Sequence, residues 1–420
     1  CPIRKSSKKL PVMILAVIGQ ASGVAVGHGV STVARAVGGP PLILPPRWAA
    51  GSVRSVCRVP RPRAWQGGGV VAFDAGETLA ERFRSHMGDA PTVYGYALRG
   101  MADDWEAGGA TREICAGWEA STTGTMIQLR YLAGIFRIVL RGEAPELAAF
   151  YPCLGGSAPA EGVWPVMREV AARHVPELRR ALDVVPQTNE PGRSAVLLLG
   201  LFEAVRRHGI RRVRLLEIGA SAGLNLYADR FRYVGPGWEW GPTDSALLLP
   251  TEAPHVRVEA FEIVDRRGCD LDPVDPTTSD GADRLRSFVW PWHVARHERL
   301  SAALAVVRVE ATAGRAAVVD RAGAGEWLEG QLASRTPSGS ADVLTVVWQS
   351  VTRMYWPPSE GERVDAVIAA ARRQRPLAHI TMEHPDEVVD GRVVHAREAQ
   401  LAVDGDPLGW VHPHGIPVWL

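Results

Sequence analysis

The run Leu215-Leu216-Glu217-Ile218-Gly219-Ala220-Ser221-Ala222-Gly223-Leu224-Asn225-Leu226 gathers the residues of this chain best placed to do chemistry. It reads as an apolar strand ending in an acid, then a small-residue turn, then the start of an amphipathic helix. Gly219 and Gly223 lack the Cβ that would hold a ligand away from the backbone. The first turn of the helix would point free N–H groups at the same place. Two chemistries use this shape. As an acid, one residue, Gly219, three residues and Gly223, with Asn225 close behind, it is the turn of a nucleotide-type cofactor site. As Gly219-x-Ser221-x-Gly223 it is the elbow of a serine hydrolase, with Ser221 as nucleophile. The hydrolase needs an acid and a histidine later in the chain, and Asp342 or Glu383 with His384 or His412 would supply them. Two features oppose it. Helical patterns precede the turn where an elbow follows strands, and Glu217 would set a carboxylate beside a developing oxyanion.

A second constellation is Gly268-Cys269-Asp270-Leu271-Asp272-Pro273, at the end of the next expected strand. One fixed carboxylate with two acceptor oxygens matches two vicinal hydroxyls. The alternative is a loop and cap pair before Pro273. His412 and His414 would share one face of a strand, but a third metal ligand is not apparent. Glu383-His384 is either an acid/base pair or a polar strand end.

The elements that must position these residues follow from periodicity. Spacings of three and four predict helices over 78–87, 92–106, 125–141, 147–154, 164–182 and 193–208. After residue 210 strands are expected at 213–218, 262–269, 316–319, 343–349 and 377–382. Helices at 222–232, 295–308, 324–333 and 359–373 separate them. That alternation implies βαβ units and a parallel sheet. Residues 392–403 and 407–411 read as antiparallel partners around Asp404-Gly405-Asp406, and 234–255 as an irregular insertion. The expected fold is α/β: a helical cap over 75–210, then a Rossmann-like, mostly parallel sheet over 211–420 with a C-terminal antiparallel hairpin.

Composition narrows the partners. Residues 1–73 hold ten of the 47 basic residues and no acid, which leaves 37 bases against 46 acids in the rest. A mildly acidic body argues against nucleic acid. Five scattered cysteines without a C-x-x-C suggest neither zinc nor disulfides, so a reducing cytoplasm fits. Residues 1–70 lack acid and period and read as a disordered or extraneous extension. Lys8-Lys9 before the apolar residues 10–18 also mimics a secretory leader. That run is too short to span a membrane, and no other segment is expected to.

The acid-x-Gly-x-x-x-Gly turn resembles motif I of class I S-adenosylmethionine-dependent methyltransferases, whose sheet also closes with an antiparallel hairpin. The resemblance implies S-adenosylmethionine as a small-molecule cofactor. Glu217, Gly219, Ser221, Gly223 and Asn225 would lie at its turn, Asp270 on its ribose and Asp320 near its adenine. Gln349 and Ser350 would edge the pocket of an acceptor the sequence does not identify. Asn189 and Glu190, in Gln187-Thr188-Asn189-Glu190, would reach the methionine end, where the ammonium favours a carboxylate; the other reading makes Thr188 or Asn189 a helix cap. Tyr151, Trp290, Trp292 and Tyr355 would line an apolar cavity or pack in the core. The chain departs from the pattern at Ser221, where glycine is usual, and in the long gap before Asp270. A non-catalytic binding or interaction module on the same fold is the alternative from another class. On a larger scale, residues from about 75 to 420 resemble the bacterial domain of unknown function 2332 family. The stretches that carry this are Ala149-Phe150-Tyr151-Pro152, Gln187–Glu190, Glu217–Leu226, Gly268–Asp275, Val289-Trp290-Pro291, His412-Pro413-His414-Gly415 and Trp419. In that family Gly tends to stand where Val319 precedes Asp320.

Overall fold

The computed structural model describes residues 77–121, 123–333, 342–389 and 392–419. The expectations for residues 1–70 lie outside them. The chain opens with helices α1 (Leu79–Met87), α2 (Val93–Glu106), α3 (Ala110–Ile114), α4 (Ile127–Leu140), α5 (Pro145–Ala148), α6 (Val163–Arg173), α7 (Val175–Ala181) and α8 (Arg193–His208). Local chemistry sets their ends. Thr78 and Glu81 form a reciprocal capping box on α1, and Thr92 accepts the Gly95 N–H at the start of α2. One helix was expected over 164–182. The structure breaks it at His174, because Pro176 has no N–H to give and its ring crowds the preceding turn. Likewise 147–154 is divided into α5 and a 3-10 turn starting at Pro152. Phe83, Leu98, Met101, Tyr131, Phe136 and Met167 fill the core of this helical part.

The remaining elements are β1 (Arg212–Ile218), β2 (Arg232–Gly235), β3 (Trp238–Trp240), β4 (Leu248–Pro250), β5 (Glu262–Asp270), α9 (Ser279–Ser287), α10 (Val294–Thr312), β6 (Val318–Arg321), α11 (Ala324–Ala333), β7 (Val343–Ser350), α12 (Pro358–Arg372), β8 (Leu377–Glu383), β9 (Asp386–Val389), β10 (Arg392–His395), β11 (Ala399–Val403), β12 (Asp406–Val411) and β13 (Val418–Trp419). Eight strands form one sheet in the order β13-β12-β11-β8-β7-β1-β5-β6. The five from β8 to β6 are parallel. β11 and β12 form an antiparallel hairpin beside β8, turned by Asp404 (φ 57°) and Gly405 (φ 86°). The expected hairpin partner 392–403 is thus shortened. Residues 392–395 pair instead with β9. The expected irregular insertion contains a small sheet, β3-β2-β4, with Trp240 stacked on Phe261 at 4.9 Å.

Strand alternation divides the sheet's residues between two faces. Val213, Leu215, Leu344, Val346 and Trp348 pack with α8 and α10. Leu216, Ile218, Cys269 and Val347 pack with α11 and α12. With both faces covered, these strands read as nearly continuous apolar runs. The chain leaves β1 for β5 and β6 on one side, then continues as β7 and β8 on the other. The reversal puts the loops after β1 and β7 side by side at the carboxyl ends of the strands, where open α/β sheets hold ligands.

Candidate functional site

The turn after β1 is left-handed at three alternate positions, with φ of 73° at Gly219, 54° at Ser221 and 70° at Gly223. Ser221 therefore holds a conformation that glycine adopts more readily. A Cβ on Gly219 would come within 2.3 Å of Thr352 Oγ1 in the loop after β7, and one on Gly223 within 2.8 Å of Val319. Both glycines are thus required by protein packing at the strand crossover. Free N–H groups were expected in the first turn of the following helix, yet Leu224 there, and Gly219, Ala220 and Ser221 before it, donate to protein acceptors. Gly219 and Ala220 donate to the Cys269 carbonyl at 3.0 and 2.9 Å. Ser221 donates to Asp270 Oδ2 at 2.8 Å, and Leu224 to Asn189 Oδ1 at 2.9 Å. The expected helix over 222–232 is a 3-10 segment, Leu224–Arg230, non-helical at Tyr227. Tertiary bonds outweigh its periodicity: Tyr227 Oη accepts the Ala317 N–H at 2.7 Å, and the Asn225 side chain is engaged below.

Asp270 is the hub of the site. Besides Ser221 it accepts its own loop's Asp272 N–H at 2.9 Å and the Gln187 side-chain amide at 3.1 Å, both on Oδ1. Gln187 also donates to the Asp272 carbonyl at 2.9 Å. The two sequence motifs, 49 residues apart, are thereby tied across neighbouring strands, and the Gln187–Glu190 turn closes over both. Asp272 points elsewhere, to Arg284 and Arg321. Leu271, between the two acids, is 75% exposed.

Glu217 lies on the α8 face of β1, buried. The Ser194 hydroxyl donates to Asn225 Oδ1 at 2.8 Å, and the Asn225 amide reaches Glu217 at 3.5 Å. Burial pushes the Glu217 carboxyl up to about 8, against the pull of that amide and of Arg193. Burial thus favours the neutral, hydrogen-bonding form of this acid.

Several expected site residues are placed away from the turn. Asp320 pairs with Cys269 in register and shares its face, so it accepts the Trp327 indole N–H at 2.7 Å and faces Arg267. Gln349 is in register with Ile218, on the face opposite Glu217. It donates to Glu383 and meets His379 at 3.0 Å. Ser350 offers its carbonyl to Arg193 at 3.1 Å. Tyr151 is fully buried against Phe136 in the helical core and lines no open pocket. Glu190 is buried, but it is taken by Arg296 at 2.6 Å and Arg299 at 3.2 Å, so it holds no spare charge for an ammonium. Asn189 is the one residue of that pair placed on the turn.

The hydrolase residues are not assembled either. Ser221 donates its N–H to Asp270 and its hydroxyl to Gln187 Oε1 at 3.4 Å, and its carbonyl accepts the Val274 N–H at 3.2 Å. Asp342 binds Arg212 at the start of β1, seven residues or about 20 Å from the turn. Glu383 accepts the N–H groups of Thr352 and Arg353, and His384 Nδ1 meets the Ala396 carbonyl at 2.8 Å. His412 Nδ1 accepts the His414 N–H at 3.2 Å. Gln187, Leu271 and Arg193 were not expected as site residues. Gln187 stands two residues before Asn189 in the sequence, which was the available signal. An exposed leucine between two acids was another.

Fold and site define a mixed α/β protein with a glycine turn and a facing acid at the carboxyl ends of parallel strands. Residues 77–419 match the model of a family described as an uncharacterised protein conserved in bacteria, domain of unknown function 2332, and the chain belongs to that family. No curated protein and no solved structure matches it. No helix among the described residues is long and apolar enough to cross a membrane.

Proposed function

We propose that this protein binds S-adenosylmethionine in a Rossmann-like site and is a methyltransferase-like enzyme. The observation that carries the reading is the Ser221 N–H bond to Asp270, which locks the acid at the end of β5 onto the glycine turn. An ionised carboxylate has about four lone-pair sites. Two are held by the backbone N–H groups of Ser221 and Asp272, which fix its orientation. Gln187 takes a third with a side chain that can swing aside. With Gln187 displaced, two sites match two ribose hydroxyls. Leu271 offers apolar surface for a flat ring. The strand order from β6 to β8 is that of doubly wound nucleotide-binding sheets. The cofactor supplies an electrophilic methyl on a sulfonium. The protein's part is to hold donor and acceptor in line, which needs no protein nucleophile. A cytoplasmic location goes with this reading and with the free Cys115, Cys153 and Cys269.

One observation favours a second reading. Gly219, Ala220, Ser221 and Leu224 each spend their N–H on a protein acceptor, as they would in a binding module whose ligand site has closed. Substitution separates the two. On the methyltransferase reading, Asp270→Ala weakens S-adenosylmethionine binding about ten- to a hundredfold, the loss of charge-assisted bonds worth roughly 1.5–3 kcal/mol. Asp272→Ala, engaged with the half-buried Arg284 and the exposed Arg321, weakens it less than threefold. Equal effects of the two changes, read by calorimetry on folded variants, would remove the ribose role of Asp270.

A further inference from the structure

Residues 183–189 lead from α7 to Glu190 and carry the two side chains that reach the glycine turn, Gln187 and Asn189. Both ends of this segment are anchored. The Leu182 carbonyl accepts Arg130 Nη1 at 2.8 Å. Glu190 is held by Arg296 and Arg299, and just past it a Cβ on Gly415 would lie 2.3 Å from the Gly192 carbonyl carbon. Between the anchors the main chain is loosely held. Asp183 and Val184 close a turn onto Arg180 and Ala181. From Val185 to Asn189, no main-chain N–H or carbonyl is hydrogen-bonded to another main-chain group among the described residues. Val185 is 49% exposed, and Thr188 is exposed as well. A segment with so few main-chain bonds opens at a lower free energy than the elements around it.

Side-chain bonds hold the segment down, and each of them ends on the candidate site. Gln187 Nε2 donates to Asp270 Oδ1 at 3.1 Å and to the Asp272 carbonyl at 2.9 Å. The Ser221 hydroxyl donates to Gln187 Oε1 at 3.4 Å. The Leu224 N–H donates to Asn189 Oδ1 at 2.9 Å. A primary amide carries donors and an acceptor on one flat group. Gln187 therefore answers an acid and a hydroxyl together, and Asn189 answers a main-chain N–H. These are the groups a polar ligand would use at the carboxyl ends of β1 and β5. Left unpaired they would be costly to bury, so the two amides stabilise the fold by filling these positions. The same bonds must break before a ligand can make its own.

We propose that residues 183–189 form an autoinhibitory strap: Gln187 and Asn189 stand in the place of a ligand, and the segment lifts between its anchors at Leu182 and Glu190 to open the site. Pro186 fixes its own φ, which favours movement as a unit over local fraying. Only the fraction of molecules with the strap lifted can bind, and the apparent affinity falls by that fraction. Which ligand is kept out rests on the S-adenosylmethionine reading. The strap itself rests on the bonds of Gln187 and Asn189.

The test is hydrogen–deuterium exchange of the full chain without ligand, read by mass spectrometry on peptides covering 183–190 and 219–226, with a β7 peptide as reference. Lifting the strap takes Asn189 off the Leu224 N–H. Gln187 does not touch Leu224, so Gln187→Ala reaches that amide only through the strap. It should speed exchange about tenfold in both peptides and leave β7 unchanged. Gln187→Glu sets a second carboxylate against Asp270. It should act in the same direction, and it keeps the test decisive if Gln187→Ala fails to fold. Faster exchange in 183–190 alone, or in neither peptide, overturns the proposal. A second arm adds saturating S-adenosylmethionine, which should speed exchange in 183–190 by displacing Gln187. Slower exchange there would mean that the segment closes over a ligand instead of standing in its place, and overturns autoinhibition. If both variants loosen the two segments together and S-adenosylmethionine gives no heat of binding, the strap stands and the methyltransferase reading fails.

Discussion

Removing the Gln187 side chain should move stability and cofactor affinity in opposite directions. Gln187 donates to Asp270 at 3.1 Å and to the Asp272 carbonyl at 2.9 Å. A bond to a charged acceptor contributes about 1.5–3 kcal/mol and one to a neutral carbonyl about 0.5–1.5 kcal/mol. Gln187 is partly exposed, so the lower ends apply, about 2 kcal/mol together. Gln187→Ala should lose roughly that in unfolding free energy, a fall of a few degrees in melting temperature. The cofactor must break at least the Asp270 bond to bind. With that bond already gone, affinity for S-adenosylmethionine should rise about tenfold, the equivalent of about 1.4 kcal/mol. Urea unfolding and calorimetry on the same preparation measure the two quantities. Lower affinity in the variant would make Gln187 part of the ligand site, and unchanged affinity would mean that the cofactor does not use Asp270. Either result refutes the reasoning.

Other expected outcomes follow from buried charge. The folded pKa of Glu217, about 8, lies above its unfolded value of about 4.3, so the folded state keeps a proton that the unfolded chain has lost. That contribution is full below about pH 4.3 and is lost as pH rises through about 8, at about 1.4 kcal/mol per pH unit in between. Glu217→Gln cannot titrate. Unfolding midpoints should therefore shift in the variant's favour between about pH 5 and 8, and parallel curves would contradict the burial argument. Glu190→Gln strands Arg296 and Arg299 in a buried site, which should cost about 3–5 kcal/mol by chemical denaturation. A loss under about 1 kcal/mol would mean that water screens the cluster as it does at a surface.

The regular elements were largely legible. Helices α8 and α11 match their expected bounds residue for residue, and the parallel strands come within two residues. They are strongly patterned because the sheet is covered on both faces, so each apolar residue has one place to go. Elements governed by single residues were harder. Pro176 divides a helical pattern that periodicity alone would continue. α9 buries little apart from Ala282 and Leu285, so its stripe is faint, and only the Thr278 cap marks its start. The site was legible as motifs and illegible as connections. Strand alternation puts Glu217 and Asp270 on one face of the sheet. Asp320 and Gln349 were given roles by the methyltransferase resemblance, and strand alternation puts them on the face opposite Glu217. Glu190 and Asn189 are neighbours in sequence with opposite roles, because two arginines more than a hundred residues away claim the acid. No local pattern carries that information.

The most direct test of the central claim is a calorimetric titration of the wild-type protein with S-adenosylmethionine and its demethylated product. The account predicts saturable binding of both at one site per chain. Heats no larger than dilution, from protein that still melts cooperatively, would contradict it and leave the glycine turn as a packing device.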